Sequence, residues 1–288
     1  MTGQPAAVDD VAIKTYRYLR VGMVVLVLLL ASSVIIEAVK ARCLQTSISA
    51  YYYTPVQATF VGGLMAIGVC LIVIKGSTPA EDLCLNLAGM LAPIVAVVPT
   101  SDERSTCSAS TRLALPGDWV TASYRNNVEA LLIAGFAGLL IAFVVAGVVD
   151  KSVMTTMRRS AERIKAGLWT VLAVLVVALI LFVFWDSFGT RAHGFAALLM
   201  FVFLAASSAI NWRDLRGQTT KRKYQRIYGT IAAAMIAVGV IVLLLLRGWS
   251  YHVLVLEGAE ILLFATFWLN QTAEHWNQTV RPTASSKR

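Results

Sequence analysis

The sequence predicts an all-α integral membrane protein, a bundle of about eight transmembrane helices, and three observations carry that prediction. Of 288 residues, 58% are hydrophobic and 14% are charged, whereas an ordinary soluble domain carries roughly 25% charged residues. The apolar residues form long continuous runs, unlike the alternating segments of a transmembrane β-barrel. There are eight such runs, at 21–39, 57–74, 83–99, 128–149, 168–185, 194–210, 228–246 and 253–269. Each comes near the ~17–25 residues that cross about 30 Å of hydrocarbon.

Taken in order, the first run follows Lys14, Arg17 and Arg20, as a signal peptide would. Glu37, Lys40, Arg42 and Cys43 stand where a cleavage site would need small residues, so the run reads as a retained helix. Tyr51, Tyr52 and Tyr53 precede the second run as an interfacial aromatic belt, or alternatively as a stacking wall at a ligand mouth. Thr54, Ala58, Gly62, Ala66 and Cys70 recur at four-residue steps, a stripe that lets another helix approach closely. Internal packing is the expected use of that stripe, and a homo-oligomer seam is the alternative. The third run opens with Asp82 and Asn86, which with Asn211, Asn270 and Gln271 act as helix caps or form an inner polar mouth. The one sizeable connection is 100–126, where Pro116-Gly117-Asp118 signals a turn. The shorter connections 150–166 and 211–227 are basic, and suit either amphipathic surface helices or helix ends running into water. The organisation expected is a segment 1–20, a membrane domain 21–270 and a tail 271–288, with 1–12 and 280–288 disordered. No internal repeat is visible, so the inverted-repeat signature of many transporters is missing.

The net charge of +9 does not point to nucleic acid, because the charge is placed asymmetrically. With the N-terminus inside, 18 of the 25 Lys and Arg fall in inner segments. That is the positive-inside bias. It predicts a multi-pass plasma membrane protein with both termini cytoplasmic, whose inner loops meet anionic lipid. Cys43 and Cys107 then share the outer side, where a disulfide between them can form. Cys70 and Cys84 read as small packing residues.

SISAYYYTPVQATFVGGLMAIGVCLIVIKG at 47–76, LNLAGMLAPIVAVVPT at 85–100 and EGAEILLFATFWLNQTAEHW at 257–276 resemble a pattern of uncharacterised multispanning proteins of actinobacterial type. The resemblance covers the front third and the last helix. It implies a bacterial plasma membrane protein and supplies no mechanism. The seven-helix hydrolases related to alkaline ceramidases share only the hydrophobic profile, since His252 is followed four residues later by Leu256 where their last helix repeats His.

The chemistry-bearing residues gather at the outer ends of the runs. Glu37 closes the first and Glu129 opens the fourth; Asp186 ends the fifth, His193 precedes the sixth and His252 opens the eighth. Glu257 and Glu260 lie deeper in the last run. They share a helix face with Phe264, Phe267, Gln271 and Glu274, and lipid cannot solvate carboxylates, so that face must point inward. Three readings stay open. Glu257 and Glu260 could be structural, hydrogen-bonded to neighbouring helices, in a membrane partner without catalysis. They could line an outward-facing pocket with Glu37, Asp186 and Tyr53 that recognises or transports a small solute or proton. Or His193, His252 and an acid such as Asp186 could hold zinc, in a membrane-embedded hydrolase of lipid or envelope substrates. No phosphate-binding glycine loop, kinase signature or nucleophile elbow occurs.

Overall fold

The computed structural model describes residues 5–100, 107, 113, 115–153 and 158–276, with side chains over 13–145 and 167–276 of those ranges. Eight α-helices follow in order: α1 Pro5–Ala41, α2 Gln57–Val73, α3 Pro79–Val97, α4 Gly117–Val153, α5 Arg158–Phe184, α6 Phe188–Asp214, α7 Arg222–Leu245 and α8 His252–His275. A 3-10 helix, Ser49–Tyr53, leads into α2, a second one, Thr219–Lys221, leads into α7, and no strand occurs among the described residues. Seven helices are long and apolar enough to cross a membrane; α2, with 17 residues, is apolar but shorter. The chain is therefore a multi-pass membrane protein.

Every helix but α2 extends past its apolar run at one end or both, because hydropathy reports the hydrocarbon, not the hydrogen-bonded backbone. Residues 5–12, expected to be disordered, belong to α1. Residues 117–126, expected in the long connection, belong to α4: Pro116 accepts from the Val120 amide at 3.0 Å, and Asp118 sits in the first turn, where a negative charge favours the helix dipole. The Pro-Gly-Asp signal thus starts a helix. The basic connections behave as helix ends where they are described, with α4 running to Val153, α5 starting at Arg158 and α6 running to Asp214. Residues 154–157 of the first basic connection lie outside the described residues, as does the tail 280–288.

Packing joins α1 to α2, α2 to α3, α3 to α6, α6 to α7, α7 to α8 and α8 back to α1. Six helices thus close a ring, and α4–α5 attach as a hairpin through α3 and α4. The ring has two ends. One holds the 3-10 helix Ser49–Tyr53 and the Cys43–Cys107 disulfide, whose Cα atoms are 5.8 Å apart. We call it the tyrosine end. The other, the basic end, holds Arg20, the α2–α3 connection and the start of α7. One core cluster lies toward each: Leu30, Val56, Phe60, Val128 and Phe188 with the three tyrosines, and Met23, Leu71, Leu204, Tyr228, Phe267 and Trp268.

The small-residue stripe on α2 packs inside only at its ends, where Thr54 is buried and Cys70 packs against the core. Ala58 and Gly62 face away from the core, and a Cβ added at Gly62 would meet nothing within 4 Å. The buried face is Phe60, Gly63, Leu64, Ile67, Gly68 and Leu71. Its close approach is at Gly68, where a Cβ would stand 2.8 Å from the Gly89 carbonyl oxygen, while one on Gly89 would stand 2.7 Å from that of Gly68. Neither backbone oxygen can rotate away. Gly68→Ala and Gly89→Ala are therefore each expected to lower stability by about 1–3 kcal/mol through overpacking. Gly62→Ala should stay within about 0.5 kcal/mol of the parent. Unfolding in mixed detergent micelles reads the difference, and equal effects at the three glycines would contradict the α2–α3 contact.

Candidate functional site

The three tyrosines, expected at an interfacial belt or as a stacking wall at a ligand mouth, are buried in the 3-10 helix, where Tyr53 donates to the Thr100 carbonyl at 2.8 Å and pins that turn. Tyr53 thus spends its hydroxyl on the backbone. Burial pushes the Tyr51 and Tyr52 phenols up, so both remain donors at neutral pH.

This turn presents Ser49 to the last helix. The amides of Ile48 and Ser49 donate to Glu257 Oε2 at 2.5 and 3.2 Å, and Ser49 Oγ lies 2.6 Å from Glu257 Oε1. On its other side, Ser49 Oγ lies 2.8 Å from His193 Nε2, and His193 Nδ1 lies 2.7 Å from the Val98 carbonyl oxygen. The α8 amide of Leu254 donates to Thr46 at 3.0 Å and fixes the loop against α8. One polar chain therefore runs from α8 through the turn to α6 and the end of α3.

Counting protons defines what this chain can do. A carbonyl only accepts, so His193 Nδ1 carries a hydrogen. The Ser49 hydroxyl has one proton to give. If Glu257 is a carboxylate it takes that proton in a hydrogen bond, and His193 Nε2 must then donate to Ser49, which makes the ring an imidazolium. If Glu257 is protonated it donates to Ser49, the serine donates to Nε2, and the ring is neutral. The two states hold equal numbers of protons and differ by one passed across Ser49.

Glu260 lies one turn deeper, 3% exposed, and its Oε2 has no hydrogen-bond partner. A buried polar atom without a partner is costly and calls for a reason. An inward-facing carboxylate is expected to meet a polar group on another helix, and the structure shows none for this oxygen among the described residues. Below it, Phe264, Phe267 and Trp268 fill the ring with Met23, Met200 and Leu204.

A second network closes the basic end. Glu81 is 0% exposed. It accepts from Asn211 Nδ2 at 2.8 Å, from Gln271 Nε2 at 2.5 Å and from the Ser77 amide. Gln271 Oε1 accepts from Arg20 at 3.0 Å, and the Arg20 guanidinium lies over the rings of Tyr16 and Trp268. Elements α1, α3, α6 and α8 meet there. Beside it, Glu274 accepts from Lys221 and from the Tyr228 hydroxyl, both at 2.7 Å. Of the residues expected at a polar mouth here, Asn211 and Gln271 are present. Asp82 instead binds Lys75 and the Gly76 amide, both at 3.1 Å, and Asn270 bonds back to Thr266 in its own helix.

Among the described residues, no hydrogen bond joins Glu257 to the other expected site residues. The sequence groups it with His252, Asp186 and Glu37, but its hydrogen bonds all go to Ile48 and Ser49, because the loop after α1 folds under α8. Glu37 is half-buried on α1 and Asp186 is exposed between α5 and α6. His252 turns Nδ1 to the Trp249 carbonyl, 2.6 Å away, at the start of α8. No group of three His, Cys, Asp or Glu suited to a metal ion occurs among the described residues. Sequence reasoning misses Ser49, Glu81 and Arg20 as site residues. Only Glu81 leaves a local trace, as the last residue of Thr78-Pro79-Ala80-Glu81, a capping-box pattern with proline at the first helical position. Compared with known proteins, the chain matches no family model, no curated protein and no solved structure. Geometry alone therefore speaks to function.

Proposed function

We propose that this is a plasma membrane protein whose tyrosine end faces outward and takes up a proton, alone or with a small solute, at the His193–Ser49–Glu257 chain. One observation carries the reading: a carboxyl group and an imidazole share a single serine hydroxyl, at 2.6 and 2.8 Å, so a proton can move between them without any group leaving its place. Glu260, buried one turn further in with an unbonded oxygen, is the next acceptor along α8. The reading is supported over the zinc hydrolase because both His193 ring nitrogens are engaged, and a metal would have to displace Val98 or Ser49 from one of them.

The test is proton uptake into vesicles that contain the purified protein and a trapped pH dye. An imposed outside-acid step should acidify the lumen faster than in protein-free vesicles, and His193→Asn should remove the difference. Equal rates with and without protein, together with no carboxyl protonation change in infrared difference spectra between pH 5 and 8, would remove the proposal.

Orientation is tested separately. Reporter fusions after residues 20, 160, 220 and 280 should read cytoplasmic, and those near 110 and 189 external, on the strength of the basic-residue asymmetry. An external C-terminus would turn the tyrosine end inward. The anionic lipids expected at the inner loops are part of the same proposal, as is membership of the actinobacterial-type family that the sequence resembles.

A further inference from the structure

Independently of the proton reading, we infer that the groove between the basic ends of α6 and α7 binds one anionic phospholipid. The groove has a volume of about 710 Å³ and is lined by Trp212 from α6 and by Arg226, Gly229, Thr230, Ala233 and Ala237 from α7. Pockets of roughly 300–1,000 Å³ hold small ligands. The floor is made of small residues, with Gly229, Ala233 and Ala237 at four-residue steps, and the wall is the Trp212 ring, which lies so close that a Cβ on Gly229 would stand 2.7 Å from it. An open, mostly apolar groove of this kind takes an acyl chain laid along it. From Arg226 to Ala237 the helix makes eleven rises, about 16 Å. That is close to one leaflet, half of about 30 Å of hydrocarbon.

The mouth selects the headgroup. Arg226 is exposed and makes no hydrogen bond or ion pair among the described residues. Arg222 stands one turn before it on α7, and the Arg216 guanidinium lies 3.9 Å from the Trp212 ring centroid. Three guanidinium groups at the polar end of this open groove complement a phosphodiester, with arginine offering two parallel donors to its oxygens. A second copy of the chain meeting the groove through the same face would bring its own arginines to this mouth, so like charge disfavours that occupant.

Native mass spectrometry of the full chain, released from vesicles of equal phosphatidylglycerol and phosphatidylcholine, tests the site. We expect one retained phosphatidylglycerol per chain, at least fivefold over phosphatidylcholine. Arg226→Gln should bring that ratio near unity, and Arg226→Lys should keep most of it. Ala233→Leu, on an exposed position that buries no new clash, should lower retention of both lipids severalfold while leaving the melting temperature within a few degrees of the parent. An unchanged ratio in Arg226→Gln, or unchanged retention in Ala233→Leu, would overturn the assignment. So would a dimer in the parent that Ala233→Leu dissolves with lipid retention intact.

Discussion

Glu81→Ala is expected to destabilise the bundle by about 3–5 kcal/mol, the range for stripping one partner from a buried charged network. The carboxylate is 0% exposed and accepts from two side-chain amides and a backbone amide. Its removal leaves Asn211 and Gln271 with unpaired N–H groups and removes the one carboxylate that Gln271 links to Arg20, itself 3% exposed. The Thr78 cap at the start of α3 is kept, because it uses the Glu81 backbone amide. Glu81→Gln can keep one oxygen for the amides of Asn211 and Gln271, which both donate to Oε1, but turns its NH₂ toward the Ser77 amide that Oε2 accepts, so an intermediate loss is expected. The decisive comparison is Arg20→Met in both backgrounds. If the two charges stabilise one another through Gln271, the double variant should lose less than the two single losses added together. Unfolding in mixed micelles measures all four proteins. Additive losses would mean that Arg20 and Glu81 act separately, and a Glu81→Ala loss under about 1 kcal/mol would mean that water reaches the carboxylate.

The sequence reveals the architecture because a bilayer imposes a length and a polarity that can be read residue by residue. Each apolar run falls on one helix, overrunning its end by two residues at most. What it does not reveal is which helices touch: nothing in the runs themselves says that α3 reaches α6 past the α4–α5 hairpin, and that contact closes the ring. The α2 stripe shows the same limit. Ala58 and Gly62 have the spacing of a packing seam, yet the seam used is Gly68 against Gly89, one face over. Small residues permit approach without choosing its direction.

The candidate site is half legible for the same reason. Glu257 and Glu260 stand out because carboxylates are rare in hydrocarbon, and Gln271 and Glu274 fall on their face by helical spacing. The partners that Glu257 and Gln271 meet on other elements stand 190 to 251 residues away in sequence. Ser49 is a common residue in a polar loop and becomes notable only between an acid and an imidazole. His193 and His252 look alike in sequence, as histidines at helix ends. One is 5% exposed and bonded at both nitrogens, while the other is half-exposed at the start of α8.

Glu257→Gln should keep the fold and abolish proton transfer. Glutamine retains an oxygen for the Ile48 and Ser49 amides, and its NH₂ can donate to Ser49 Oγ, whose own proton then goes to His193 Nε2. Every hydrogen bond of the neutral state survives, so stability should stay within about 1 kcal/mol of the parent. The proton that moves in the parent is absent, and uptake into vesicles should fall to the protein-free rate. Glu257→Leu removes the acceptor of two amides and the partner of one hydroxyl, at about 1–3 kcal/mol for each group left unsatisfied. It should therefore be destabilised by several kcal/mol as well as inactive. The pair of variants separates function from structure. If Glu257→Gln carries protons as fast as the parent while Glu257→Leu unfolds easily, the network at the tyrosine end holds the turn against α8 and does no more. If Glu257→Gln is stable and silent, the same hydrogen bonds that hold the turn against α8 also carry the proton across Ser49.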